Sequence, residues 1–252
     1  MRLRTPLTEL IGIEHPVVQT GMGWVAGARL VSATANAGGL GILASATMTL
    51  DELAAAITKV KAVTDKPFGV NIRADAADAG DRVELMIREG VRVASFALAP
   101  KQQLIARLKE AGAVVIPSIG AAKHARKVAA WGADAMIVQG GEGGGHTGPV
   151  ATTLLLPSVL DAVAGTGIPV IAAGGFFDGR GLAAALCSFQ LLDQLGAQHP
   201  VRHPVDAGGD HGAVQAGLQV TPFDRVGHGG IRGEQKPGAH GHPGGAVAQR
   251  RG

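Results

Sequence analysis

The feature that most constrains this chain is a rhythm. Between Pro16 and Cys187, short runs of β-branched and apolar residues alternate seven times with longer Ala-rich stretches. Such alternation marks successive βα units and hence a parallel sheet. Pro16-Val-Val-Gln19 reads as the first strand, and Ala26 to Ala37 as its helix, stopped by Gly38-Gly39. Leu40 to Leu43 follows as a strand. Leu50 to Val63 then puts Leu53, Ile57, Val60 and Val63 on helical spacing, with Thr49 as N-cap and Glu52 completing a capping box. Further strands are expected at Phe68 to Asn71, Val93 to Ala97, Val114 to Ser118, Ala135 to Val138 and Pro169 to Ala172. Helices are expected at Asp81 to Gly90, Lys101 to Ala111, Ala121 to Trp131 and Leu156 to Ala164. The units recur about every 20 to 35 residues, as right-handed crossovers require.

Two folds are built from such units, a barrel and a doubly wound open sheet. The open sheet that binds dinucleotides wants G-x-G-x-x-G after its first strand. Here that strand runs into Gln19-Thr-Gly-Met-Gly23-Trp, and the richest glycine loop follows the sixth. The expected fold class is therefore α/β, a (β/α)8 TIM barrel that is incomplete: seven units are recognisable, and an irregular tail stands where the eighth belongs. The expected division is 1-187 for the barrel and 188-252 for the tail.

Composition removes several classes of function. Residues 1–252 include one cysteine, Cys187, which excludes an internal disulfide and suits a reducing cytoplasm. Pro6, Glu9 and Glu14 interrupt the apolar run an export signal needs, and no stretch approaches the ~18 apolar residues of a membrane span. The expected location is cytoplasmic. The net charge of +3 comes from Lys and Arg scattered among acidic residues, and aromatics are 3% with no tyrosine. That is not the basic, aromatic-interleaved footprint of a nucleic-acid binder.

In a barrel of this kind the chemistry lies at the C-terminal ends of the strands. Gln19, Gly21 and Met22 end the first strand, Asn71 the third, Gln139 the sixth and Gly174-Gly175 the seventh. An Asn or Gln there presents donor and acceptor to a planar heterocycle. Ala172-Ala-Gly-Gly175 before a helix resembles a phosphate site of backbone N–H groups and a helix N-terminus, although an ordinary glycine turn reads the same way. The loop Gly140 to Gly148 holds six glycines around His146. Ordering each glycine costs roughly 1 kcal/mol more than alanine, so the loop calls for a ligand or a close backbone contact. His146, with an ordinary pKa near ~6.5, is a candidate general base, against the plainer reading of a surface histidine. Glu142 either orients that ring or solubilises the loop, and the second is the simpler expectation. His15, before Pro16, and His124, on the solvated side of a helix, stand away from any strand end.

At these residues the chain resembles the nitronate monooxygenase family, formerly called 2-nitropropane dioxygenases, a group of FMN-dependent barrel enzymes. The resemblance runs from about Leu7 to Leu186. It rests on Pro16-Val-Val-Gln-Thr-Gly-Met22, Gly38-Gly-Leu-Gly41, Phe68-Gly-Val-Asn71, Val138-Gln-Gly-Gly-Glu-Gly-Gly-Gly-His146-Thr-Gly148, Leu154-Leu-Leu-Pro157 and Pro169 through Arg180. It implies that Gly21, Met22, Asn71, Gln139, Gly144, Gly145, Gly174 and Gly175 line an FMN site, with no metal. It also implies that His146 matches the catalytic histidine, acting as base on a small alkyl nitronate while the flavin accepts electrons. The first 30 residues are most similar to a branch that dehydrogenates hydroxylated acyl-CoA intermediates of steroid ring degradation. The partner expected is a small-molecule substrate, with an acyl-CoA among the candidates; neither nucleic acid nor membrane is expected, and an oligomer stays open.

Family members continue into an eighth strand that supplies the other half of the phosphate cradle. Here, after Leu186-Cys187, the chain passes into a stretch holding six of the nine histidines and 14 of the 39 glycines, a composition compatible with disorder. A metal site at His199 and His203 or at His240 and His242, a partner-binding tail and a change of reading frame near Cys187 compete to explain it, and the frame change is preferred. Without an eighth strand the first and seventh expose edges, so poor solubility and weak FMN retention are expected. Two other classes stay open: a flavin-free phosphate-binding barrel and a non-catalytic truncated remnant.

Overall fold

The computed structural model describes residues 3–98, 100–145 and 147–195. Seven parallel strands pair in chain order into one curled sheet, with a helix after each. The strands are β1 (Val18–Gln19), β2 (Leu40–Ala44), β3 (Phe68–Arg73), β4 (Val93–Ala97), β5 (Val114–Ile119), β6 (Met136–Gln139) and β7 (Val170–Ala173). Helix α1 (Pro6–Ile11) precedes them; α2 (Ala28–Asn36), α3 (Leu50–Lys61), α4 (Ala79–Arg88), α5 (Gln102–Glu110), α6 (Ala122–Ala130), α7 (Thr152–Ala162) and α8 (Gly179–Leu195) follow in turn. This is the expected incomplete TIM barrel. Among the described residues β1 and β7 are the edges of the sheet, and the expected boundary at 187 falls within α8. The tail histidines lie outside the described residues.

Strand parity sorts the core into two layers. Leu40 and Ile42, Val93, Ile116, Ala135 and Ile137 face inward and pack with Leu7, Ile11 and Ile13. Helix α1, which sequence periodicity does not reveal, thus closes the N-terminal end of the sheet. Thr5 caps it in a box with Thr8, Pro6 opens it, and Gly12 ends it in left-handed backbone at φ 82. The alternate residues Phe68, Val70 and Ile72 of β3 and Phe96 of β4 point outward against Leu53, Ile57 and Val60 of α3 and Met86 of α4. A second outer cluster joins Met136, Val138 and Val170 to Val128, Leu155 and Val159. Fully burying each such side chain contributes roughly 1.5–3 kcal/mol.

Two expected helix bounds shift for identifiable reasons. The capping box of Thr49 and Glu52 is present, but α3 ends at Lys61, and Val63 lies beyond it, 62% exposed. Helix α7 begins one turn earlier than Leu156, so that Pro157 sits inside it. Its N-cap, Ala151, has no capping side chain; the cap comes from Glu142, ten residues upstream.

Candidate functional site

The inward rows of the sheet carry apolar residues low down and polar ones at their C-terminal ends. Asn71 of β3 stands in register with Ser95 of β4, and its Nδ2 donates to Ser95 Oγ at 2.9 Å. Ser45, in the turn after β2, donates its hydroxyl to Asn71 O at 2.6 Å. Gln139 ends β6 two residues beyond inward-facing Ile137, opposite Ala173 of β7. The result is an apolar floor beneath a rim of amides and hydroxyls. Gln19 does not join that rim. It pairs with Gly41, whose Cβ would strike Val31 of α2, so it belongs to the outward row. Its Nε2 donates to the carbonyls of Thr20 and Ile42.

Gly21 and Met22 lie in the loop after β1. A Cβ on Gly21 would stand 2.4 Å from Asn71 Cβ, so glycine there lets two expected site residues approach each other. Met22 is 41% exposed. The next loop residue but one, Trp24, is held at φ 60, an uncommon backbone for a non-glycine residue.

The glycine loop is the most heavily tied part of the site. Gln139 Nε2 donates to Gly144 O at 2.6 Å, and Gly141 N donates to Val150 O at 2.8 Å. Glu142 reaches across to the start of α7: Thr152 N donates to its Oε2 at 2.9 Å and to its Oε1 at 3.2 Å. Thr152 Oγ1 lies 2.9 Å from both Glu142 Oε2 and Gly174 O, and its single proton serves one at a time. The amide of Thr152, helped by Glu142's own N–H and the Thr152 hydroxyl, holds the Glu142 carboxyl below its ordinary value of 4.5. Glu142, exposed on the loop, thus also caps the start of α7.

Glycine is required at Gly140, where a Cβ would lie 2.0 Å from Thr152 Oγ1. At Gly144 and Gly145 a Cβ would meet nothing within 4 Å, so this stretch opens onto free space. Beside it lies a depression of about 620 Å³ lined by Gly141, Glu142, Thr147, Gly148, Pro149 and Ala151. His146 lies outside the described residues. Gly174 and Gly175 follow β7 in left-handed backbone, at φ 98 and 79. A Cβ on Gly174 would come within 3.0 Å of Gly143 N and Thr152 Oγ1 and 3.2 Å of Gly140 O, and one on Gly175 within 3.7 Å of Glu142 Cβ. The first amides of α8 are already engaged: Arg180 N and Gly181 N donate to Asp178 Oδ1 at 3.0 and 3.2 Å. The Arg180 guanidinium, with those amides, keeps the Asp178 carboxyl low.

The structure thus gathers Gln139, Gly144, Gly174 and Gly175 at one side and Gly21 and Asn71 at another. Sequence reasoning missed Thr152, Ser45, Ser95 and Arg82. Arg82, 7% exposed, donates to Ser45 O at 2.6 Å, Met48 O at 2.9 Å and Asp78 Oδ2 at 2.7 Å. It fixes the turn from which Ser45 holds Asn71. A cleft of about 220 Å³ beside it is lined by Arg73, Asp75, Asp78 and Arg82. Both its arginines are paired, Arg73 with Asp75 and Arg82 with Asp78. Parity reveals the inward place of Ser95; nothing local reveals Thr152. His15 is exposed and His124 half-buried on α6, neither at a strand end. No helix among the described residues is long and apolar enough to cross a membrane.

Comparison with known proteins bears on these residues. The chain is 82% identical over 184 residues to the (3aS,4S,5R,7aS)-5-hydroxy-7a-methyl-1-oxo-octahydro-1H-indene-4-carboxyl-CoA dehydrogenase of Rhodococcus jostii (strain RHA1), covering 73% of this chain and 51% of that protein. It therefore spans about half the length of that relative. Among solved structures it is similar to FabK from Thermotoga maritima, with TM-score 0.71 and 45% identity over 74% of this chain and 59% of that one. It is similar also to a nitroalkane oxidase from Streptomyces ansochromogenes, with TM-score 0.66 and 31% identity over 73% of this chain and 65% of that one. The family model described as nitronate monooxygenase matches residues 4–198. With that match over most of its length, and with the strand-end site its fold provides, the chain belongs to the nitronate monooxygenase family of oxidoreductases.

Proposed function

We propose that this chain is the FMN-binding part of an oxidoreductase that dehydrogenates a hydroxylated acyl-CoA thioester of the kind formed in steroid ring degradation. The observation that carries this reading is the 82% identity over 184 residues to a relative whose name specifies a hydroxylated, ring-bearing carboxyl-CoA. The resident residues fit a flavin. An apolar floor under Asn71, Ser95 and Gln139 suits a planar heterocycle. Gly21, Met22, Asn71, Gln139, Gly144, Gly145, Gly174 and Gly175 would hold it.

When bound, the flavin supplies a two-electron acceptor for the hydride of the carbinol carbon. His146, next to Gly145 in the chain, accepts the hydroxyl proton as that carbon becomes a carbonyl. The amide and hydroxyl rim would orient the ring. Cys187 is a free thiol, which with a CoA thioester substrate suits a reducing cytoplasm.

A second reading keeps the fold, the cofactor and His146 as base but takes a small alkyl nitronate. The family match and the likeness to a nitroalkane oxidase favour it. Product analysis with FMN-loaded protein, using an artificial electron acceptor for the hydroxyacyl-CoA and dioxygen for the nitronates, separates the two. A keto product from a ring-bearing hydroxyacyl-CoA, lost in His146→Ala with flavin retained, supports the first; a carbonyl compound and nitrite from nitronates alone would replace it with the second.

A further inference from the structure

We infer that Glu142 is a positioning residue: it latches the glycine loop onto α7 and β7, so that the loop backbone and Gly174 form one preset ligand surface. The inference takes its ligand from the FMN reading, but the latch is argued from the chain alone.

The stretch Gly140 to Gly145 contains five glycines and one side chain able to bind anything, Glu142. Fixing each backbone residue costs about 1–2 kcal/mol of conformational entropy, and glycines cannot recover this through packing. Two side chains hold the stretch. Gln139 reaches up from β6 to Gly144 O, and Glu142 reaches sideways to Thr152. Without Glu142 the far side of the loop would lose its attachment to α7.

The same carboxylate completes α7. Its N-cap is Ala151, which offers no side-chain acceptor, whereas helix N-termini gain from a side-chain oxygen and a negative charge. Glu142 supplies both from ten residues before Thr152, in the loop that leads into α7. Thr152 then passes the constraint on, since its hydroxyl stands 2.9 Å from Gly174 O. There is no slack around it: Cβ atoms on Gly140 and Gly174 would come within 2.0 and 3.0 Å of that oxygen. A shift of Glu142 is therefore felt at both glycine clusters. Its oxygens are aimed at Thr152 and accept its bonds, so its charge serves the helix end and the residue acts through Thr152.

Three variants of the full chain test this: Glu142→Ala, Glu142→Asp and Glu142→Gln. FMN affinity is read by quenching of flavin fluorescence, and backbone mobility by amide exchange across residues 140–152, with α3 as the internal standard of folding. Asp keeps the charge but falls one methylene short, while Gln keeps the reach and one acceptor. A geometric latch predicts that Ala and Asp weaken FMN binding about tenfold, the loss of one or two hydrogen bonds, and speed exchange in the loop. Gln should stay within about threefold of the parent by the same reckoning. The opposite order, Asp near the parent and Gln impaired, would mean charge alone matters and would overturn the latch. Unchanged exchange and affinity in all three would overturn it too. If Ala fails to fold, the Asp and Gln pair decides. If the parent binds no FMN, the cofactor reading fails while the exchange measurement still judges the latch.

Discussion

Glu142 and Thr152, ten residues apart in sequence, meet through two hydrogen bonds of 2.9 Å, one from the amide and one at the hydroxyl. The consequence for pH has a definite sign. Thr152 holds the folded-state pKa of Glu142 below its ordinary 4.5. The part of its contribution that depends on the negative charge is therefore complete above about 4.5 and is lost as pH falls through the lower, folded value, while the geometric part that Gln also keeps remains. Amide exchange across 140–152 should be pH-insensitive near neutrality, after correction for intrinsic rates, and should show in acid only a small step, no larger than the loss in Glu142→Gln. Glu142→Gln should lack that step. Asp78, Asp178 and Glu84 are depressed as well, so general acid destabilisation belongs to all four and only the local step reports the latch.

Gly140 and Gly144 should respond differently to alanine. At Gly140 the new Cβ meets Thr152 N at 2.5 Å and Cα at 2.6 Å, backbone atoms that cannot move aside. Gly140→Ala should cost about 1–3 kcal/mol of stability, as overpacking does. At Gly144 the space is open, so Gly144→Ala should leave the stability of the flavin-free protein within about 0.5 kcal/mol while lowering its affinity for FMN. Denaturant unfolding and flavin titration of both variants check this.

Arg82 supports the site from behind. Truncating it to methionine frees two carbonyls, Ser45 O and Met48 O, and leaves Asp78 without its partner. Losing these charged hydrogen bonds should cost about 2–4 kcal/mol. Asp78→Asn should cost less, because Asp78 is more exposed than Arg82. Urea midpoints of the two variants give the order.

Asn71 and Ser95 form a pair at the rim. Ser95→Ala leaves the half-buried Asn71 amide without its partner, at a cost of about 1 kcal/mol, and frees the carboxamide to turn. Flavin affinity should fall in Ser95→Ala and fall again in Gly21→Ala, whose Cβ would strike Asn71 at 2.4 Å. Ser95→Thr with parent-like affinity would agree, since the hydroxyl is kept; parent-like affinity in Ser95→Ala would not.

The strands and most helices were legible because each has a local cause: β-branched runs for β2 to β5, a capping box at Thr49, glycine stops after the helices. Helix α1 was hidden by its length of six residues, too short to show a period. The early start of α7 was hidden because its capping group, Glu142, lies ten residues before Thr152 rather than at the cap position, and local rules then favoured a start nearer Pro157. Within the site, parity alone could have placed Ser95 beside Asn71 and sent Gln19 outward. Thr152 could not be found that way, since its role depends on three chain segments meeting, the glycine loop, α7 and the end of β7. Asp178, one residue before α8, caps it through the amides of Arg180 and Gly181.

The most direct test is anaerobic mixing of FMN-loaded protein with a ring-bearing hydroxyacyl-CoA thioester, watching the oxidised-flavin absorbance. The account predicts bleaching in a single turnover that His146→Ala abolishes without releasing flavin, both in this chain and in a version extended to the length of its Rhodococcus relative. Flavin that stays oxidised in both, or bleaching that is unchanged in His146→Ala, would contradict it.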